Sequence, residues 1–263
     1  MLIGYGQPAI TPSVDGASAV NLAALVDGRP SSVARIGGGA SSVRLRADWI
    51  GAVAVRLVAA LGLTCPVGTA IALTGKRLGD ADYSYPLGAA TQAVMDLVDG
   101  SRAAWFVLPA DNDSLVGLQL QFEASDFDAG ELVVLQAVDL PIQGDWEAGR
   151  IDPSTADRTL GGGVNVVPRR TYRRLQFALT PDQLAVVRGA ELDGGMDWDR
   201  LDYALRGDAR AAAVPRWGRP DAINIAELHR TALYGRVVPG SIAHRGGDYY
   251  SSSGWTFEEV PPL

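Results

Sequence analysis

The chain has 263 residues, of which 47% are apolar and 20% charged, a balance that excludes wholesale disorder and supplies enough apolar material for a sizeable core. Its formal net charge is −7, the wrong sign for a general nucleic-acid binder. One cysteine, Cys65, and two histidines, His229 and His244, leave no disulfide framework, no cysteine-based zinc site and little scope for histidine metal chemistry.

The charge is unevenly spread. Residues 1–149 hold 8 basic and 16 acidic side chains, whereas residues 150–263 hold 15 basic and 14 acidic. That break near residue 150 suggests two domains. The N-terminus lacks the basic and apolar regions of a secretory signal. The longest apolar tract, residues 49–63, is too short to span a bilayer and carries Arg56 near its middle, so it reads as buried strands and no membrane insertion is expected.

The first 39 residues are rich in Gly, Pro and Ser and carry the turn Leu25-Val26-Asp27-Gly28-Arg29-Pro30. The triplet Gly37-Gly38-Gly39 has no phosphate-loop context. From Ser42, Val43, Leu45 and Ala47 alternate with Arg44, Arg46 and Asp48, which is the period of a half-buried strand. Further strands are predicted over 53–60, 69–74, 104–108, 116–124 and 132–140, separated by turn clusters. A weak helix is predicted over Ala89–Leu97. Short strands at this spacing point to an antiparallel β-sandwich.

Residues 143–157 read as a connector. A strand follows over Tyr172–Leu179, and Thr180-Pro181-Asp182-Gln183 spells a helix start with Thr at the N-cap and Pro at N1. Gly194-Gly195 lies beyond that helix. Strands are then predicted over 211–214, 222–225, 232–238 and 255–260.

No catalytic constellation stands out. There is no G-x-S-x-G elbow, and both histidines read as surface residues. Cys65 has no adjacent basic group and reads as an inert buried thiol. Asp111, Asp113, Asp126 and Asp128 occupy two turns; carboxylates of this kind can gather calcium, but no EF-hand loop is spelled and ordinary turn chemistry is the reading. No metal and no cofactor is expected. Arg169-Arg170 and Arg173-Arg174 form a basic knot, read as a salt-bridged strand or a subunit contact. The tryptophans, at 49, 105, 146, 198, 217 and 255, serve either as core anchors or, on sandwich loops, as sugar-stacking platforms.

Two stretches carry a resemblance. Residues 20–150 resemble a galactose-binding-like (discoidin-type) jelly roll in the Leu25–Pro30 turn, the strand Ser42–Asp48, the pair Val53–Leu61 and Thr69–Gly75, and the strand entering Ser125-Asp126. Residues 158–263 resemble the C-terminal part of tail-tip and baseplate proteins of long-tailed bacteriophages. The carriers there are Leu175-Gln176-Phe177, Leu179-Thr180-Pro181-Asp182-Gln183-Leu184, Leu233-Tyr234-Gly235-Arg236-Val237 and Trp255-Thr256-Phe257-Glu258-Glu259-Val260.

The combined expectation is a mainly β protein: a jelly-roll β-sandwich over 1–150, then a β-rich, barrel- or split-barrel-like domain over 151–263 with one helix near 181–190. The resemblance implies a distal tail protein, a ring in the virion's tail tip that is made in the host cytoplasm and joins tail tube, hub and fibres. It supplies no catalytic residues. Trp255, Phe257, Glu258 and Glu259 are the candidate assembly residues, through addition of their strand to a neighbour's sheet edge. Two alternatives stand beside this. A glycan-binding adsorption module would expose two or more tryptophans near loops 111–114 and 126–130. A glycan-degrading enzyme would need a carboxylate pair about 5–9 Å apart across a cleft.

Overall fold

A computed structural model describes residues 1–38, 41–88, 91–109, 114–158, 162–207, 210–216 and 222–260. Strand outweighs helix, 51% against 11%, and the protein is mainly β with large antiparallel sheets, one of them curled into a half-barrel.

In chain order the first half runs β1 (Leu2–Tyr5), β2 (Thr11–Asp15), β3 (Ser18–Val20), a 3-10 turn (Leu22–Val26), β4 (Ala34–Gly37), β5 (Val43–Val53), β6 (Leu57–Leu61), β7 (Ala70–Arg77), β8 (Tyr85–Pro86), β9 (Gln92–Ala93), β10 (Met95–Asp96), β11 (Arg102–Val107), β12 (Leu115–Phe122), β13 (Phe127–Ala129) and β14 (Glu131–Asp139). The second half runs β15 (Glu147–Ile151), β16 (Thr155–Arg158), β17 (Val164–Val167), β18 (Tyr172–Phe177), β19 (Asp182–Gln183), α1 (Leu184–Arg188), α2 (Trp198–Ala204), β20 (Ala211–Val214), α3 (Ala222–Thr231), β21 (Leu233–Val238), β22 (Ile242–Gly246), β23 (Tyr249–Ser252) and β24 (Trp255–Glu259).

A ten-stranded sheet, β10-β11-β6-β14-β1-β20-β21-β24-β18-β15, draws on both halves of the chain. The N-terminal strand β1 joins them, pairing β14 through Leu2↔Asp139 on one edge and β20 through Leu2↔Val214 on the other. One face of this sheet packs on the six-stranded sheet around β2-β5-β12-β7-β8. Val58, Ala60, Phe106, Leu132 and Val134 from the first meet Leu45, Ile71, Leu118 and Phe122 from the second. The predicted alternation of 43–48 is realised here: Val43, Leu45 and Ala47 are buried, and their partners on β12 are Phe122, Leu120 and Leu118.

Residues of opposite parity on the ten-stranded sheet, Leu57, Ala59, Trp105, Val133 and Leu135, fill a second core with Ala212, Val214 and Tyr234, and Leu228 of α3 packs against it. β6 is thus buried on both faces, which is why its sequence is uniformly apolar, as strands covered on both sides are. A third core gathers Ile3, Val138, Leu175, Phe177, Trp255 and Phe257 against Val187 of α1 and Trp198 and Leu201 of α2.

Four local expectations need correction. The segment 91–97 is not helical: Gln92–Ala93 pairs β7 and Met95–Asp96 pairs β11, while Val94 exchanges backbone bonds with the 66–69 turn; Ala89 and Ala90 lie outside the described residues. The connector 143–157 contains the ordered strand β15, paired with β18 from Glu147↔Gln176 to Ile151↔Tyr172. Among the described residues there are three α-helices rather than one. α1 starts at Leu184 because Asp182 and Gln183 are held extended by pairing with Tyr250 and Tyr249. α2 is N-capped by Asp197, whose side chain accepts from the Arg200 amide at 2.8 Å. The predicted strand at 222–225 is the first part of helix α3, whose buried side is carried by Leu228 and His229 at helical spacing from Ile225.

Candidate functional site

The predicted assembly strand lies inside the fold. β24 is paired on both edges, to β18 through Phe177↔Trp255 and Arg174↔Glu258, and to β21 through Gly235↔Glu259 and Val238↔Thr256. It has no free edge for a neighbour. Trp255 and Phe257 are fully buried core residues, and Trp255 packs on Phe177 with ring centroids 6.0 Å apart. Glu259 is buried, and its carboxylate takes the Arg173 guanidinium and accepts from the Arg173 amide at 3.0 Å. Glu258 is half-buried between Arg174 and Arg236 in the strand register. Part of the basic knot is therefore a salt-bridged strand, with Arg173 also donating to the Arg230 carbonyl at 2.8 Å.

His229, read from sequence as a surface residue, is 1% exposed. Its Nε2 accepts the Trp105 amide at 3.1 Å and its Nδ1 lies 2.8 Å from the Ile225 carbonyl, so it is the neutral tautomer with the proton on Nδ1. β10 pairs only with residues 102–103 of β11, and His229 supplies the acceptor that the short edge strand does not. Burial holds its pKa below the usual histidine value. His244 is exposed, as expected, and lies against Tyr250. Cys65 is fully buried, and burial pushes its thiol up to about 11, which keeps it unreactive.

Asp128 is engaged by Arg35 at 2.9 and 3.1 Å, which holds its carboxyl below the usual range, and Asp126 accepts from the Gly38 amide at 3.0 Å. Asp111 and Asp113 lie outside the described residues. Among the described residues no group of three His, Cys, Asp or Glu is placed to hold a metal, and no helix is long and apolar enough to cross a membrane. Trp49, Trp105, Trp198 and Trp255 are buried, and Trp146 is half-buried near the Arg216 guanidinium. Trp217 lies outside the described residues. None of the described tryptophans is the exposed platform that glycan stacking requires.

A polar cavity of about 520 Å³ lies where the end of β1, the Leu25–Pro30 turn and the starts of β14 and β20 converge. Its charged and polar walls are Gln7, Asp27, Glu131, Arg210 and Tyr234. The turn presses close to the sheet: a Cβ on Gly130 would stand 2.0 Å from the Pro30 carbonyl oxygen, and one on Gly28 would meet Arg210 Nε at 2.9 Å. Glu131 is 1% exposed and accepts from the Tyr234 hydroxyl at 3.4 Å through Oε1, while Oε2 has no hydrogen bond of good geometry. Burial first and the Asp27 charge second raise its pKa to about 8, against the amides of Gly28 and Arg29. At neutral pH it is a protonated, buried carboxyl. Sequence reading missed it because the predicted strand began one residue later, although Glu131 shares a parity with Val133 and Leu135.

Among the described residues, the chain that starts as β15 and returns as β18 carries a ribbon exposed along its length. β15 and β18 lie in the ten-stranded sheet, and β15 is its last strand. Beyond them the ribbon continues as β16 and β17, paired from Thr155↔Val167 to Arg158↔Val164, which form a sheet of their own. Every residue of β16 and β17 is exposed, including Val164 at 60%, Val166 at 53% and Val167 at 46%. The sequence signal was present in the three valines of 164–167, but alternation cannot say whether an apolar face meets its own core or another molecule.

The sequence matches no protein-family model and no curated protein.

Proposed function

We propose that the protein is a structural subunit that assembles into a closed homo-oligomeric ring at the tip of a bacteriophage tail. The observation that supports assembly is the β16–β17 ribbon, which leaves the sheet and presents three valines to solvent. Covering those valines with the surface of another copy would remove apolar area from water and so favour association. The tail-tip part of the reading rests on the sequence resemblance over residues 158–263.

Light scattering of the purified full chain over a range of concentrations tests the reading. The expected result is one discrete mass, a fixed multiple of 27.7 kDa, seen as a closed ring by negative-stain electron microscopy. A monomer at every concentration overturns it.

A further inference from the structure

The polar cavity of about 520 Å³ beside the Leu25–Pro30 turn gathers buried polar atoms without partners and charges without counter-charges. Glu131 is 1% exposed; Tyr234 donates to its Oε1 at 3.4 Å and the amides of Gly28 and Arg29 approach the carboxyl, yet Oε2 has no hydrogen bond of good geometry. The side-chain oxygen of Gln7, also in the cavity wall, is buried without a partner as well. Buried polar atoms are seldom left in this state, and a cavity walled by two of them suits a polar guest.

Charge narrows the guest. Asp27 and Arg210 stand on two sides of Gly28: Asp27 precedes it in the chain, and Arg210 Nε would lie 2.9 Å from a Cβ placed on it. Despite that closeness they form no ion pair with each other, and neither has one with any other described residue. Asp27 Oδ1 accepts the Arg29 amide at 2.7 Å, while the half-buried Arg210 guanidinium makes no hydrogen bond among the described residues. Burial raises the pKa of the Tyr234 hydroxyl in the wall; of the two charges, Asp27 adds to the rise and Arg210 opposes it, so both reach the same cavity. Glu131, with a pKa of about 8, is mostly neutral at pH 7, which leaves the walls one positive charge, one negative charge and no net charge. A purely cationic guest is opposed by Arg210 and a purely anionic one by Asp27. A guest with both charges is met by both: a guanidinium takes a carboxylate through two parallel N–H bonds, and a carboxylate with an amide oxygen takes an ammonium.

We propose that this cavity binds a small zwitterion of the α-amino acid class, with its carboxylate on Arg210, its ammonium on Asp27 and the Gln7 oxygen, and Glu131 and Tyr234 as the neutral polar wall. The site does not rest on the assembly reading above and is tested apart from it.

Isothermal titration calorimetry of the full chain with each standard α-amino acid tests it. Every amino acid that binds is compared with the amine that lacks its carboxylate and the acid that lacks its ammonium. The expected result is a Kd below about 1 mM for at least one amino acid, with both of its analogues weaker by about tenfold or more. Arg210→Gln and Asp27→Asn, the second keeping an oxygen for the Arg29 amide, are each expected to weaken that binding by about tenfold while melting like the parent. Three results overturn the proposal: no amino acid binds; an analogue, or the neutral polyol glycerol, binds as tightly; or a variant with the parent's melting curve keeps the parent's affinity. Where a variant melts below the parent, the analogue comparison on the parent chain decides. None of these outcomes bears on the ring, which light scattering reads separately.

Discussion

Glu131→Gln isolates the energetic cost of the buried carboxyl. The folded protein holds the Glu131 proton up to about pH 8, whereas the unfolded chain releases it near the ordinary value of 4.5. Between those limits the folded state binds the extra proton, so this group's contribution to stability is fully present below pH 4.5 and is lost as pH rises through 8. The loss is about 1.4 kcal/mol per pH unit, or about 3 kcal/mol by pH 7. Glutamine keeps the shape and an oxygen to accept from the Tyr234 hydroxyl, but it does not titrate. Its amide meets the Gly28 and Arg29 N–H groups less well than a carboxyl does, a pH-independent cost of about 1 kcal/mol. Urea unfolding of both proteins at pH 5, 6, 7 and 8 reads the difference. The variant is expected to be equal to or slightly less stable than the parent at pH 5 and more stable by about 3–4 kcal/mol at pH 8. Parallel pH dependences for the two proteins would refute the assignment of a raised pKa to this site.

Other consequences follow from the buried contacts. His229→Ala removes the acceptor of the buried Trp105 amide and leaves a cavity, and is expected to cost about 2–4 kcal/mol in urea unfolding. Because burial lowers the folded-state pKa of His229, the parent's stability falls as pH drops below about 6.5, and the alanine variant lacks that component of the slope. Arg173→Ala strands the buried Glu259 carboxylate and is expected to cost about 3–5 kcal/mol at pH 7, with part of the loss recovered in the Arg173→Ala, Glu259→Gln double variant. Gly130→Ala forces the Leu25–Pro30 turn off the sheet, since the new methyl would stand 2.0 Å from the Pro30 oxygen; a fall of about 2–4 kcal/mol in unfolding free energy is expected. Trp255→Ala is expected to cost about 3–5 kcal/mol as a core truncation, so any loss of assembly in that variant must track unfolding in a paired melting experiment.

Some features are properties of local sequence. The alternation of Val43, Leu45 and Ala47 with charged residues marks one face of a strand whatever it pairs with, and the uniformly apolar 57–61 segment marks burial on both faces. Cys65 among apolar neighbours is a buried thiol, and its raised pKa follows. Mainly β architecture is legible for the same reason, because the period-2 pattern and the turn clusters are local signals.

The tertiary structure decided what those elements are for. Ile223 and Ile225 alternate as a strand would, yet that segment is helical, and its buried side is set by Leu228 and His229 against the core around Trp105. His229 is polar by type and buried by position, because the amide it satisfies belongs to Trp105, 124 residues away. Trp255 and Phe257 look like an adhesive end strand, but the pairing partners that use up both edges of β24 come from residues 174–177 and 235–238. The valines of 164–167 carry the same signal as a core strand, and only the absence of a covering layer among the described residues sets them apart. An alternating strand encodes which side chains share a face. What lies opposite that face is set by contacts far apart in the chain, and a one-dimensional pattern does not contain them.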